Sequence, residues 1–492
     1  MDDMRIRKKN LWMFPLGTVG RDMVYNLFSA QLLTFVLFTR FLTAAQLAAI
    51  TAIMVAARVF DALNDPIMGN IIERTRSRWG KFKPWLVVGI ATTCVVVYMM
   101  FNTKLQGWSF VWFFGVMYFL YSIAYTMHDI SYWGMVPALS SDADARNQFT
   151  ARATLFAGVG GTTASVLIPM LTAGEMTIGG SASVAYGVIA AAVCVIAPAF
   201  LCFTIFGAQE RRDDMAEAAP PISFKKIFGT IFSNDQLLWI TLIFLIQQIS
   251  NNIVLGGIGS TYIYFNFGYN GGLWSIFTTV GMSATAVLMV GFPAISRRIS
   301  RKKLMGIMAV ISTIGFVIMI AAGLALPNNN FKFVLLTVGY MLSNFGLYCY
   351  YLVMMISIIN TVEYNEYKTG NRDEAIIASV RPFVTKLAGA LVAAITSICY
   401  IIFGVTNYTN QISTLEQACT QNLITEAEKL QQISQVLSGV QSFQSIGLLM
   451  FITVIPAALM LISYFLYIKH YKLDEDEYKR ICDEIESRKA KV

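Results

Sequence analysis

Three ionisable residues, Arg58, Asp61 and Asp65, stand inside the apolar run RVFDALNDPIMGNIIE at 58–73. Spacings of three and four put all three on one face of a helix. In hydrocarbon each charge costs roughly 2.5–3.5 kcal/mol on insertion scales, so each must face a partner, an ion or water. Asp61 and Asp65 lie one turn apart, with Asn64 beside them. Two carboxylates with neutral oxygens suit a hard monovalent cation such as Na⁺, which takes oxygen ligands. A pair that close could equally share a proton, because like charges raise one pKa. A short hydrophilic loop follows with five cations, Arg74, Arg76, Arg78, Lys81 and Lys83. The arrangement reads as an ion site above a cytoplasmic anchor.

Other charges also fall within apolar runs. They are Arg21 and Asp22, Asp129 flanked by His128 and Trp133, Arg152, Arg381 and Lys386. Acids and bases spread over so many segments would converge only around a central cavity; the plainer alternative is ion pairing that holds a bundle together. Asp22 and Asp129 suit sugar hydroxyls, since a carboxylate accepts two hydrogen bonds while an Arg or Lys donates to neighbouring hydroxyls. Trp133, one turn beyond Asp129, offers a face for a sugar ring or simply packs. His128 is expected to pack or hydrogen-bond rather than relay protons. Arg21, Arg58 and Arg381 read as gating or structural charges. No GxxxxGK[ST], HExxH or GxSxG occurs, so neither ATP-driven pumping nor an enzyme is expected.

The elements that must position these residues are membrane spans. The chain has 492 residues, 56% hydrophobic and 13% charged, with mean hydropathy +0.58, a composition of polytopic membrane proteins. Apolar runs long enough to cross a bilayer fall near 11–41, 46–72, 84–102, 108–138, 148–173 and 185–207. A second six fall near 237–267, 272–295, 304–325, 331–362, 376–404 and 443–468. The charged stretch 208–236, with Pro220 and Pro221, reads as a linker between two halves. The expected fold is therefore an all-α membrane protein of twelve transmembrane helices in two pseudo-symmetric six-helix bundles, 1–207 and 237–468, with a tail at 469–492. The N-terminus lacks signal-peptide features, so the first span is expected to direct insertion.

Lys and Arg give the orientation. The N-tail, the even-numbered loops and the C-tail hold 28 of them, and the alternate loops only Lys104, Lys332 and Lys429. That asymmetry puts both termini in the cytoplasm, and explains the net charge of +8 as topology rather than nucleic-acid binding. The basic loops after the second and eighth spans also rhyme, as in carriers built by internal duplication. Seven cysteines without a CxxC pair read as small core residues, with no disulfide frame. Residues 405–441 form a polar external segment, with an amphipathic helix expected over 414–437 as a capping excursion. The tail reads as a solvated charged helix.

The same residues carry a family pattern. NDPIMG at 64–69 followed by TRSRWGKFKPW at 75–85 resembles the signature of the glycoside–pentoside–hexuronide:cation symporters, the melibiose-permease-like branch of the major facilitator superfamily. GRD at 20–22, YTMHDISYW at 125–133, NDQL at 234–237, EYNEYK at 363–368 and the segment around Lys386 also match. The resemblance implies the major facilitator fold and a multi-pass protein of the inner membrane. Asp61 and Asp65 would bind the coupling cation (Na⁺, H⁺ or Li⁺), helped by Asn64 and Thr126. Asp22 and Asp129 would hold sugar hydroxyls, with Arg152 donating, Trp133 nearby and Lys386 linking the sugar and ion regions. Tyr351 would lie beside the sugar, and Tyr25 would line the cavity. The chain departs from relatives at Asn360 and at Arg381–Pro382. The implied activity is cation-coupled symport of a sugar or glycoside by a monomer in a lipid bilayer, without cofactor or nucleic acid. The cation would pre-organise the sugar site and the halves would then rock. Rival readings are a lipid or other amphiphilic cargo, or a non-transporting sensor or scaffold.

Overall fold

The computed structural model describes residues 2–140, 142–210 and 224–489. The middle of the expected linker, including Pro220 and Pro221, lies outside the described residues. Among those described, all regular structure is helical. Eleven helices are long and apolar enough to cross a membrane, and a bent pair makes the twelfth.

Contacts divide the chain into two units. Unit 1 comprises Met1–Pro221, Tyr269–Ser275 and Val405–Gly439; unit 2 comprises Ile222–Gly268, Ile276–Gly404 and Val440–Val492. The first half contributes α1 (Asp2–Ser29), α2 (Leu32–Thr39), α3 (Ala44–Arg74), α4 (Lys83–Asn102), α5 (Gly107–Leu139), α6 (Ala143–Thr172) and α7 (Ala182–Cys202). The expected first span is broken: α1 and α2 meet at 44°. At the break the Asn26 carbonyl accepts the amides of both Ala30 (2.9 Å) and Gln31 (3.2 Å), widening the last turn of α1. Thr43 and Gln46 form a reciprocal cap that starts α3. In unit 1, α1 packs on α6 and α7, and α3 and α4 pack on α5. Small residues permit the closest approaches: Gly20 of α1 lies against the Ala197 backbone of α7, and Gly160 of α6 against the Val19 carbonyl.

The second half contributes α8 (Phe224–Ser233), α9 (Asp235–Asn252), α10 (Gly259–Phe267), α11 (Gly271–Ser296), α12 (Arg301–Ala325), α13 (Asn330–Thr369) and α14 (Glu374–Ile402). After these come α15 (Val405–Thr420), α16 (Glu426–Ser438), α17 (Ser442–His470) and α18 (Glu475–Lys489). In unit 2, α9 packs against α13, α14 and α17, and α12 against α13.

The polar segment between the last two spans is two helices, not the single one expected over 414–437. Asn422, at φ +58°, ends the first, and a Thr425–Glu428 capping box starts the second. Its contacts place this strap in unit 1. The Asn410 amide pairs with the Leu42 backbone in both directions, each at 2.9 Å. Gln417 donates to the Thr39 carbonyl at 3.2 Å. Glu416 accepts from the Ala182 amide at 2.7 Å and pairs with Lys429 at 3.4 Å, both side chains being 0% exposed. Lys429 also donates to the Gly180 carbonyl at 2.6 Å.

The tail departs from the solvated helix expected. Ile481 and Ile485, one turn apart, are buried, while Arg480, Glu484 and Arg488 pair along the outer face. Arg301 anchors the tail's start, bonding Glu475 at 3.0 Å and the Leu473 carbonyl at 3.2 Å. Burial works against ionisation of Glu475, but the Arg301 amide and guanidinium outweigh it and hold its carboxyl below the ordinary range. A depressed acid stabilises docking above its unfolded pKa, so the contribution is full above pH ~5 and fades as pH falls below about 4.3. Hydrogen exchange across 475–489, corrected for intrinsic rate, should therefore show protection at pH 6 that is largely lost at pH 3.5. Equal protection at both values would remove Glu475 from the latch.

Candidate functional site

Helix α5 carries a polar stripe through an apolar span. Tyr118, Ser122, Thr126, Asp129 and Trp133 recur at three and four residues, so they share a face. Opposite parts of that stripe meet α3 and α1, giving two adjoining groups within unit 1.

The first group joins α3 to α5. Arg58 donates to Asp61 Oδ2 at 3.1 Å, and the Ser122 hydroxyl donates to Asp61 Oδ1. The Thr126 hydroxyl donates to Asp65 Oδ1 at 2.9 Å. Asp61 is buried and Asp65 half-buried, and both are bonded to α5. Asn64 lies beside them, its Nδ2 sealed from solvent without a hydrogen-bond partner. The Arg58 guanidinium also sits 5.6 Å from the Tyr118 ring centre. The donor set is thus all oxygen, from Asp61, Asp65, Ser122 and Thr126, with the Asn64 amide alongside. Oxygen ligands with two carboxylates among them are the kind a hard monovalent cation takes. Among the described residues no three His, Cys, Asp or Glu cluster as a multivalent metal would require.

The second group joins α1 to α5. Arg21 bridges two acids: Nε and Nη2 reach Asp22 Oδ2 at 3.0 and 2.9 Å, and Nη1 reaches Asp129 Oδ1 at 2.8 Å. Its guanidinium rests on the rings of Tyr132 (5.2 Å) and Trp133 (5.1 Å). The Asp22 and Asp129 side chains stay 20% and 33% exposed while Arg21 is 6% exposed, so the acids front the site and the base backs it. Each acid keeps an oxygen that Arg21 does not engage, an acceptor pair suited to neighbouring hydroxyls. Tyr25, one turn on from Arg21, packs against Tyr125 at 5.5 Å.

The other expected residues sit as follows. Arg152 of α6 donates to the Leu11 carbonyl at 3.3 Å and covers the Trp12 ring at 4.7 Å. Tyr351, Arg381 and Lys386 belong to unit 2, on α13 and α14; Arg381 is exposed and the other two half-buried. His128 is 1% exposed, turned toward Gly89 of α4, with neither ring nitrogen hydrogen-bonded. Asn360, with its amide turned to satisfy both groups, accepts from Arg301 at 2.7 Å. Ser122 was not foreseen, because a serine in an apolar helix carries no charge signal. Glu210 was also missed: it accepts the Lys81 amide at 2.9 Å and lines a cavity of about 1430 Å³ with Glu73, Lys81 and Arg146, beside the basic loop after α3.

A bundle of long apolar helices with charged residues within its spans is that of a polytopic membrane protein. The chain belongs to the MFS/sugar transport protein family, whose family model matches residues 13–475. It is a multi-pass protein of the inner membrane. It is 30% identical to a lactose permease of Leuconostoc lactis, over 80% of this chain and 62% of that one. It is 27% identical to the lactose permease of Lactobacillus helveticus, over 97% of this chain and 72% of that one. The solved nucleoside transporter NupG shares the fold at TM-score 0.62 and 12% identity, covering 94% of this chain and 99% of that one.

Proposed function

We propose that this carrier moves a sugar or glycoside together with a monovalent cation, Na⁺, H⁺ or Li⁺, working as a monomer with both termini in the cytoplasm. The observation that carries this reading is that one helix serves both groups. Ser122 and Thr126 hold the α3 carboxylates, while Asp129, less than one turn beyond Thr126, is held by Arg21. A cation drawn to Asp61 and Asp65 pulls those hydroxyls into its shell and fixes the α5 turn that presents Asp129. Coupling is then reciprocal: whatever factor the cation adds to sugar affinity, the sugar adds to cation affinity. Lactose permeases among the relatives support a hydroxyl-rich cargo. Thr126 and Asn64 serve the cation; Asp22, Asp129, Trp133 and Tyr25 serve the sugar, with Lys386 and Tyr351 assigned to it from unit 2.

Asp22→Ala tests the sugar role. Hydrogen bonds to a charged acceptor contribute about 1.5–3 kcal/mol each, so equilibrium binding of galactosides should weaken by about 10- to 100-fold. Na⁺ binding, measured in the same preparation without sugar, should survive. Unchanged sugar affinity would refute the assignment.

A further inference from the structure

The cavity beside the basic loop after α3 lies within unit 1, and neither group of the candidate site makes use of it. Its lining comes from the ends of four spans: α3 at Glu73, α4 at Lys83, α5 at Gly134 and Pro137, and the chain just past α7 at Ile205. The loop along it is built rather than slack. The Ser77 hydroxyl donates to the Gly80 carbonyl at 2.7 Å and accepts the Trp79 amide at 3.1 Å. Trp85 Nε1 donates to the Thr75 hydroxyl at 2.8 Å, which ties the loop to α4. Gly80 stands at φ +104°, and a Cβ there would come within 2.5 Å of Glu210 Oε2. Asn10 of α1 exchanges two hydrogen bonds with the Gln209 backbone, at 3.0 and 3.2 Å, and so fixes the chain next to Glu210.

Four cations, Arg78, Lys81, Lys83 and Arg146, and two acids, Glu73 and Glu210, line this space. Glu73 pairs with Lys81. Glu210 accepts the Lys81 amide at 2.9 Å, and Lys83 donates to the nearby Ala208 carbonyl at 2.6 Å. Two guanidiniums remain. Arg78 is exposed and has no acidic partner among the described residues, and Arg146 uses only its Nε, on the Ser140 carbonyl at 2.7 Å. A guanidinium matches two oxygens of a phosphate at once. That Glu210 already sits on a loop amide shows the backbone here accepting an anionic oxygen.

The other walls point to what carries the anion. Phe82, Pro137 and Ile205 add apolar lining, and two large aromatics of the same cavity stay open, Trp79 at 62% and Phe206 at 76% exposed. A free phosphate would gain nothing from those surfaces. A phospholipid would lay its glycerol and first acyl carbons on them while its phosphate met the guanidiniums. Aromatic side chains gather at the level of lipid head groups, and basic pockets between spans take anionic ones.

We propose that this cavity seats the head group of an anionic phospholipid, with Arg78 and Arg146 on its phosphate and Trp79 and Phe206 against its glycerol and acyl carbons. The site lies at the ends of the spans that carry the basic loops, and it stands whatever the cargo is. The test is binding of phosphatidylglycerol and of phosphatidylcholine to the purified full-length carrier in detergent, followed by native mass spectrometry. The wild type should bind phosphatidylglycerol about tenfold more tightly than phosphatidylcholine. Arg78→Gln and Arg146→Gln should each raise the phosphatidylglycerol Kd about fivefold. Trp79→Ala with Phe206→Ala should weaken it too, because the carbons next to the phosphate lose their wall. Arg76→Gln is the control. Arg76 belongs to the same loop but bonds the Glu73 and Thr75 carbonyls and does not line the cavity, so its variant should stay within about twofold of the wild type. If Arg146→Gln fails to fold, Arg78→Gln decides alone, since it removes no bond made among the described residues. Equal affinity for the two lipids overturns the site. So does an Arg76→Gln effect as large as that of Arg78→Gln, which would reduce the loop to diffuse charge. Displacement of phosphatidylglycerol by millimolar inorganic phosphate, with no change in the Trp79 and Phe206 variant, would give the cavity to a free anion and overturn the lipid.

Discussion

Asp65→Asn should abolish cation-stimulated uptake. The variant removes one negative charge from the α3–α5 group, and a unit charge at 4 Å in a medium of effective dielectric 20 is worth about 4 kcal/mol. Even half of that lowers cation affinity by about 30-fold, beyond any usual assay concentration. The expected result is sugar uptake in vesicles that responds neither to Na⁺ nor to Li⁺ nor to an imposed pH gradient, with protein abundance unchanged. Asp61→Asn should show the same loss with a further one. Asp61 balances Arg58, whose side chain is 11% exposed, and leaving a buried charge without its partner costs about 3–5 kcal/mol. The Asp61 variant should therefore unfold earlier than the Asp65 variant. Wild-type cation dependence in either one would end the assignment of the pair as the cation seat.

The second large effect is expected far from that seat. Lys429 and Glu416 are both 0% exposed and face one another at 3.4 Å. Lys429→Met leaves the carboxylate without its cation, and the cost should again be about 3–5 kcal/mol. Burial already pushes the Glu416 carboxyl up, against the pull of Lys429, so losing the lysine drives it further toward its neutral form. Hydrogen exchange should show α15 and α16 losing protection together. Replacing both partners, Glu416→Leu with Lys429→Met, should recover most of it, because two packed apolar side chains leave no charge stranded. A double variant no better than the single would show that the pair is not what pins the strap.

Much of the architecture was legible because the bilayer writes it in large letters. Each span is a run no soluble core needs, and each in-span charge, from Arg21 to Lys386, stands out because it is costly. The spacing of Arg58, Asp61 and Asp65 already implied a shared face. What stayed hidden depends on tertiary partners. Ser29, Ala30 and Gln31 contain no Pro or Gly, so nothing local marks the bend between α1 and α2. Lys429 looked like one more exposed loop cation, since a partner thirteen residues away matches no helical spacing. Ile481 and Ile485 were outvoted by the charges around them. That Arg21 bridges both Asp22 and Asp129 was not legible either, since one of its partners lies 108 residues away.

The strap's attachment has a genetic corollary. Its helices are bound to Leu42, Ala182 and Gly180, yet its ends run by peptide bonds into α14 at Gly404 and toward α17 at Val440. A gene severed between codons 211 and 223 would thus yield two polypeptides, the later of which still owns a limb fitted to the earlier. Co-expressed fragments should find each other and complement, and deleting codons 405–439 from the later one should weaken that complementation.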